Sequence, residues 1–195
     1  MKSKVIGALA IALPLAAMAT PESYTVDPTH SFAYFEVEHL GVSNQRGRFD
    51  RTSGKFVMDR VAKSGSVELN IESASVSTGD NVKGSRPRTL DDHLKTADFF
   101  NVAEFPRATF KSTGVKFAGD NPSEIAGNLT LIGVTRPVAL KVERWACRDN
   151  PMSKKPMCGG NVTATIKRTD FGMKYGVPAI GDEIRLWFSV EAYKD

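Results

Sequence analysis

Histidine, cysteine and tryptophan are scarce in this chain, with three, two and two among 195 residues. The scarcity narrows the chemistry. A catalytic zinc site built on three histidines would consume every one present, His30, His39 and His93. On a regular strand His30 and His39, nine positions apart, fall near opposite ends and on opposite faces, so such a site is disfavoured. No Gly-x-Ser-x-Gly turn occurs, and the neighbours His30 and Ser31 face opposite ways on a strand, which disfavours a histidine-activated serine nucleophile. No lysine and arginine stripe with interleaved aromatics appears, so the footprint of a nucleic-acid binder is absent. Past the first twenty residues no apolar run is long enough to span a bilayer as a helix, and no long apolar stripe recurs at helical spacing.

The first residues are of another kind. Met1-Lys2-Ser3-Lys4 leads into an uncharged run, Val5 to Ala17, which closes in Ala17-Met18-Ala19 before Thr20 and Pro21. A basic start, a short apolar core and a small-x-small site are the order of a secretory signal peptide. The expectation is a signal over 1–19, cleavage between Ala19 and Thr20, and one domain over 20–195 exported to a periplasm. Taking Lys2 and Lys4 from the 26 basic residues leaves a net charge of only +2 against the 22 acidic ones. In an oxidising compartment Cys147 and Cys158, with ten residues between them, are most simply a disulfide pinning a loop. The alternatives are a redox pair or half a metal site, and the latter needs two further ligands where no histidine is near in sequence.

What the exported part does have is period-two alternation punctuated by Gly, Pro, Asn and Asp. Strands are expected at Tyr24–Val26, Ser31–Leu40, Arg46–Met58, Ser66–Ser77, Arg107–Phe117, Glu124–Ile132, Arg136–Ala146, Val162–Thr169 and Glu183–Ala192. Val67, Leu69 and Ile71 alternate with Glu68, Asn70 and Glu72, and Ile184, Leu186 and Phe188 alternate with Glu183, Arg185 and Trp187. The stretch from Ser31 to His39 carries the most information. Ser31, Ala33, Phe35, Val37 and His39 share one face, Phe32, Tyr34, Glu36 and Glu38 the other, over a span of roughly 26 Å at about 3.3 Å per residue. An apolar face with polar ends suits the wall of a site for an elongated lipid with a polar head. Asn81 to Asn101 breaks the pattern: Asp91 to Lys95 reads as a turn or two of helix with acidic residues at its start, and Leu90, Leu94, Phe99 and Phe100 are placed to cover one end of a barrel. A hairpin is expected at Gly133 to Pro137.

Several stretches together resemble the YceI-like family of polyisoprenoid-binding periplasmic proteins. They are Tyr24-Thr25-Val26-Asp27-Pro28-Thr29-His30-Ser31, Val37-Glu38-His39-Leu40-Gly41, Gly47-Arg48-Phe49 and Asp92-His93-Leu94-Lys95-Thr96-Ala97-Asp98-Phe99-Phe100. Phe105-Pro106-Arg107-Ala108-Thr109-Phe110, Gly127-Asn128-Leu129-Thr130-Leu131-Ile132-Gly133-Val134-Thr135 and Lys167-Arg168-Thr169-Asp170-Phe171-Gly172 follow in the family's order. Members often carry Arg-Asp three and two positions before the helical histidine; here those positions are Leu90 and Asp91, with Arg86 and Arg88 close by.

The resemblance implies an all-β fold, an extended antiparallel lipocalin-like barrel of about eight strands with one short helical segment over an end. It further implies an apolar tunnel that sequesters a long isoprenoid lipid, polyprenyl or quinone type, with the head near the mouth. Polar groups expected near the mouth are His30, Ser31, His39 and Thr78; Phe35, Val37, Phe49, Val76, Phe105, Phe110 and Leu129 are expected along the tunnel. On residue types alone the phenylalanines fit a filled core better than a tunnel, and His39 fits a hydrogen-bonded strand end equally well. The expectation is a carrier rather than an enzyme, with no cofactor or metal beyond the bound lipid or isoprenoid quinone and no nucleic acid. Transient contact with a membrane, or with a membrane quinone or cytochrome protein, and homodimerisation are left open. The rivals are an enzyme acting on isoprenoid or other lipids and a stress-related interaction module with a filled barrel.

Overall fold

The computed structural model describes residues 20–195. The expected signal peptide and Ala19 lie outside the described residues. Eleven strands form a single sheet: β1 (Glu22–Val26), β2 (Phe32–His39), β3 (Ser43–Phe49), β4 (Thr52–Asp59), β5 (Ser64–Glu72), β6 (Val76–Ser77), β7 (Arg107–Ala118), β8 (Asn121–Leu131), β9 (Val134–Asp149), β10 (Pro156–Lys167) and β11 (Ile180–Lys194). One helix, α1 (Leu90–Leu94), lies between β6 and β7. The strands β1, β4, β5, β7, β8, β9, β10 and β11 pair in that order, and β1 pairs back onto β11, closing an eight-stranded antiparallel barrel with no free edge along that ring.

The extra strands are breaks in long walls rather than additional walls. β1 and β2 both pair with the long β11, β1 at its far end and β2 at its near end. Between them Asp27 accepts from the Thr29 amide at 2.9 Å and from Thr29 Oγ1 at 2.7 Å, a local turn that interrupts the strand after Asp27-Pro28. The expected strand Arg46–Met58 is likewise two, β3 and β4, because the chain changes neighbour there. Ser75, in a 3-10 turn at Ser73–Ser75, accepts from the Asp50 amide through its carbonyl at 3.0 Å and from the Arg51 amide through its hydroxyl at 3.1 Å. That same turn divides the expected strand Ser66–Ser77 into β5 and β6.

The up-and-down order puts the β2–β3, β6–β7, β8–β9 and β10–β11 connections at one end and both described termini at the other, with the β4–β5, β7–β8 and β9–β10 turns. The β8–β9 hairpin is tighter than expected: Leu131 pairs with Val134, and only Ile132 and Gly133 turn, both with positive φ (42° and 77°) as a type I′ turn requires. Alternation is obeyed inside. Ala33, Phe35, Leu69, Ile71, Phe110 and Phe188 are all buried in one core cluster. At the terminal end Cys147 and Cys158, directly opposite on β9 and β10, form the expected disulfide around the β9–β10 turn.

Candidate functional site: an apolar cavity in the barrel

The barrel encloses a cavity of about 100 Å³ on its α1 side, and no polar atom contributes to the cavity surface. Each wall segment gets there by strand parity. β2 supplies Ala33, Phe35 and Val37, and the facing β11 supplies Ile184, Leu186 and Phe188. Ile71, Ala108 and Leu129 complete the ring, and Phe49 sits beside Phe35 with ring centroids 5.9 Å apart. The cover comes from α1 and the residues after it: Leu94, Phe99 and Phe100, with Phe100 edge-on to Phe49 at 5.1 Å.

A second apolar cavity of about 50 Å³ lies toward the terminal end, lined among others by Phe56, Leu69, Ile125, Leu140 and Trp145. Phe110 borders neither cavity, but its ring lies over Gly127, between Ile125 of the lower cavity and Leu129 of the upper one along β8. It is cross-strand from Leu69, which lines the lower cavity, and from Leu129, which lines the upper one, and it is 3% exposed. Among the described residues two buried polar atoms lack a hydrogen-bond partner, Thr52 Oγ1 and Trp145 Nε1; the Trp145 ring borders the lower cavity.

Of the residues expected along the tunnel, Phe35, Val37, Phe49 and Leu129 line the upper cavity. Phe110 is buried but lines neither cavity, Val76 is buried on β6 opposite Phe49, and Phe105 lies outside, its ring packed over Gly133, where an added Cβ would come within 2.7 Å of it. None of the polar residues expected near the mouth faces the cavity. Ser31 is fully buried and spans the gap between β1 and β2: its Oγ donates to the Glu191 carbonyl and accepts from the Glu191 amide, both at 3.0 Å. His30 is exposed on the outside, its Nδ1 2.8 Å from Asp27 Oδ2, and this carboxylate raises the imidazole's pKa above its ordinary value. His39 is half-buried at the end of β2 opposite Ile180. Thr78 donates from its amide and its hydroxyl to Asp91 Oδ1, both at 2.7 Å, and so ties the end of β6 to α1.

Strand alternation had singled out Ile184, Leu186 and Phe188 without assigning them to a site. Arg168 belongs to one of the family-like motifs of the sequence, which assigns it no role. Its side chain borders the cavity, yet its guanidinium donates to four carbonyls: Gly181 at 2.8 Å, Tyr175 at 2.8 Å, Ile180 at 2.9 Å and Met173 at 3.3 Å. Burial lowers its pKa from the ordinary value, against the opposing pull of Asp182. Arg168 thus clamps the 172–180 connection over the barrel rim. At the rim Tyr175 of that connection meets His93 and Phe99, with ring centroids 5.1 and 5.3 Å away, while His93 Nε2 lies 2.8 Å from Asp98 Oδ2.

Residues 24–192, which span the barrel and its cover, match the family model of the YceI-like domain. The chain belongs to the YceI-like family. A UPF0312 protein of Pseudomonas aeruginosa is 37% identical over 199 residues, covering all of both chains. The protein YceI of Salmonella arizonae is 36% identical over 98% of this chain and 97% of its own. Among solved structures, BcnA of Burkholderia cenocepacia superposes with a TM-score of 0.68 at 24% identity, over 85% of this chain and 98% of its own. A structure described as a polyisoprenoid-binding domain from Saccharophagus degradans superposes at 0.62 and 21% identity, over 88% and 98%. At those identities the two superpositions speak for the fold alone. Leu90, noted in the sequence as a departure from the family pattern, is half-buried against the core, and the following Asp91 accepts from Thr78.

Proposed function

We propose that this protein is an exported, non-enzymatic carrier that takes the hydrocarbon chain of an isoprenoid lipid, polyprenyl or quinone type, into the barrel. The observation that carries the reading is the cavity wall without a polar atom. Such a wall rewards hydrocarbon at about 0.8 kcal/mol per buried CH₂ and offers a head group nothing, so the head stays at the rim. The same fold in a neighbour described as a polyisoprenoid-binding domain supports the choice of lipid. The basic and apolar start of the sequence and the Cys147–Cys158 disulfide support export to a periplasm.

The two cavities together are smaller than the roughly 300–1,000 Å³ of drug-sized sites. A long chain therefore requires the barrel to widen, with Leu94, Phe99 and Phe100 moving at the cover or Phe110 turning aside. That same small volume favours the rival reading, a filled interaction module. One experiment separates them: mass spectrometry of an organic extract of protein purified from its natural compartment, with uptake of detergent-solubilised ubiquinone or polyprenol by the delipidated protein. A stoichiometric isoprenoid in the extract, or saturable uptake, is expected. Protein that is empty on isolation and takes up neither lipid overturns the carrier.

A further inference from the structure

Seven large apolar side chains are exposed among the described residues: Leu40, Val42, Val61, Val82, Met152, Tyr175 and Val177. They are unevenly placed. Leu40 and Val42 form the β2–β3 turn, Tyr175 and Val177 lie in the β10–β11 connection, and the Leu40 amide donates to the Ala179 carbonyl at 2.8 Å, so the two connections are joined into one rim. Val82 stands in the loop before α1 at that same end, which is the end the cavity occupies. Only Val61 and Met152 are at the other.

The turns repeat the asymmetry. Leu40 (φ 58°) and Ile132 (φ 42°), at the cavity end, hold a left-handed conformation that bulky apolar residues rarely adopt. Asn101 (φ 44°) is the third non-glycine left-handed position at that end, and those at the terminal end, Lys63 (φ 51°) and Lys154 (φ 59°), are lysines. Leu40 is 59% exposed and Val42 85%, so the core does not require either one. Four rim side chains also fall far short of the roughly 20–30 residues a side of a stable protein interface. The connections at this end hold as many acidic as basic residues, and Arg86 and Arg88 are already paired with Asp80 and Asp98.

From these observations we infer that the rim formed by Leu40, Val42, Tyr175 and Val177 inserts into the interfacial layer of a lipid bilayer, and does so without anionic lipid. Tyr175, with an apolar ring packed on the cover and a polar hydroxyl, has the amphipathic form suited to that layer. Docked this way, the rim would let a hydrocarbon chain pass between bilayer and cavity without crossing water. The inference rests on the carrier reading for its purpose, while the docking is measured independently of uptake.

The test is co-sedimentation of the full mature protein with phosphatidylcholine vesicles, at low and raised salt, with and without added phosphatidylglycerol. Binding to the neutral vesicles that persists at raised salt is expected. The double variant L40N/V42S should bind about tenfold less or weaker still, since each buried apolar side chain contributes about that factor or more. Asparagine suits the left-handed turn, so the same variant should melt no lower than the parent, an outcome a merely structural role would not give. Met152→Ser, at the opposite end, should change nothing. Binding that needs phosphatidylglycerol and vanishes with salt overturns the inference in favour of the Lys154 and Lys155 loop. Absent binding overturns it as well, and self-association abolished by L40N/V42S would assign the rim to a second copy of this chain. If ubiquinone is taken up from detergent yet vesicles are not bound, the docking fails and the carrier stands. If vesicles are bound but no lipid is taken up, the carrier fails and the docking stands.

Discussion

Phe110→Ala is the substitution that most directly tests the divided interior. The ring is 3% exposed and sits on the inner face between its cross-strand neighbours Leu69 and Leu129. It also fills the space left by Gly127, where an added Cβ would come within 2.4 Å of its Cζ. Truncating a buried phenylalanine costs about 3–5 kcal/mol, from lost transfer energy plus the void left behind. For a chain of this size about 1 kcal/mol corresponds to roughly 2–4 °C in Tm, so a fall of about 6–20 °C is expected by calorimetry or thermal circular dichroism. Ligand binding should move the other way for long chains. In the parent, affinity for a series of prenols should climb with each isoprene unit until the chain reaches Phe110 and then level off. In the variant the upper and lower cavities join, and affinity should keep rising at about 0.8 kcal/mol per newly buried CH₂. Titrating the prenol series into both proteins by fluorescence or calorimetry reads the difference. Identical dependence on chain length in parent and variant would show that Phe110 is not the divide, however large its effect on Tm.

Three further outcomes are expected. Ser31→Ala leaves the Glu191 amide short of a partner, while the Glu191 carbonyl keeps the Asp27 amide at 2.8 Å, and should lower stability by about 1–3 kcal/mol in urea titrations while leaving lipid affinity unchanged; a selective loss of affinity would return Ser31 to the ligand site. Thr89→Ala removes the α1 cap, in which the Thr89 hydroxyl accepts from the Asp92 amide at 3.0 Å, and should destabilise the cover by about 0.5–2 kcal/mol, seen as faster amide exchange in α1 than in β11. The third concerns acid. Arg86, with help from the Leu90 amide, holds the Asp80 carboxyl down at about 2, below its unfolded value of about 3.9. A depressed acid stabilises the fold above its unfolded pKa and loses that contribution as pH falls toward its folded one. Protection of the Leu90 amide should therefore be constant above about pH 4 and decline between there and about pH 2, and Asp80→Asn should remove the decline. A decline centred near neutrality would point to another group.

Much of the fold was legible because strand parity is local. One apolar residue in two along Ser31–Val37, Val67–Ile71 and Ile184–Phe188 is enough to say which side chains point inward, and the structure places each of those sets inside the barrel. Polar residues read less well. Ser31 was read as a mouth residue from its place at the end of an apolar face, but it is consumed by the β11 backbone 160 positions away in sequence. Phe105 was assigned to the tunnel by its motif, yet it covers a turn formed by residues that follow it by almost thirty positions.

By itself the sequence determined the class of fold, the inward face of each strand, the short helix over one end and the closeness of Cys147 and Cys158. Those follow from periods of two, from turn residues and from short loops, all of which act between near neighbours. Only the tertiary structure decided depth. Whether an inward side chain lines the upper cavity as Leu129 does, lines the lower one as Leu69 does, or is packed between its neighbours as Phe110 is depends on register between strands far apart in sequence. A one-residue shift in that register would exchange inside for outside, so such pairings are fixed by the packed barrel and not by any one segment.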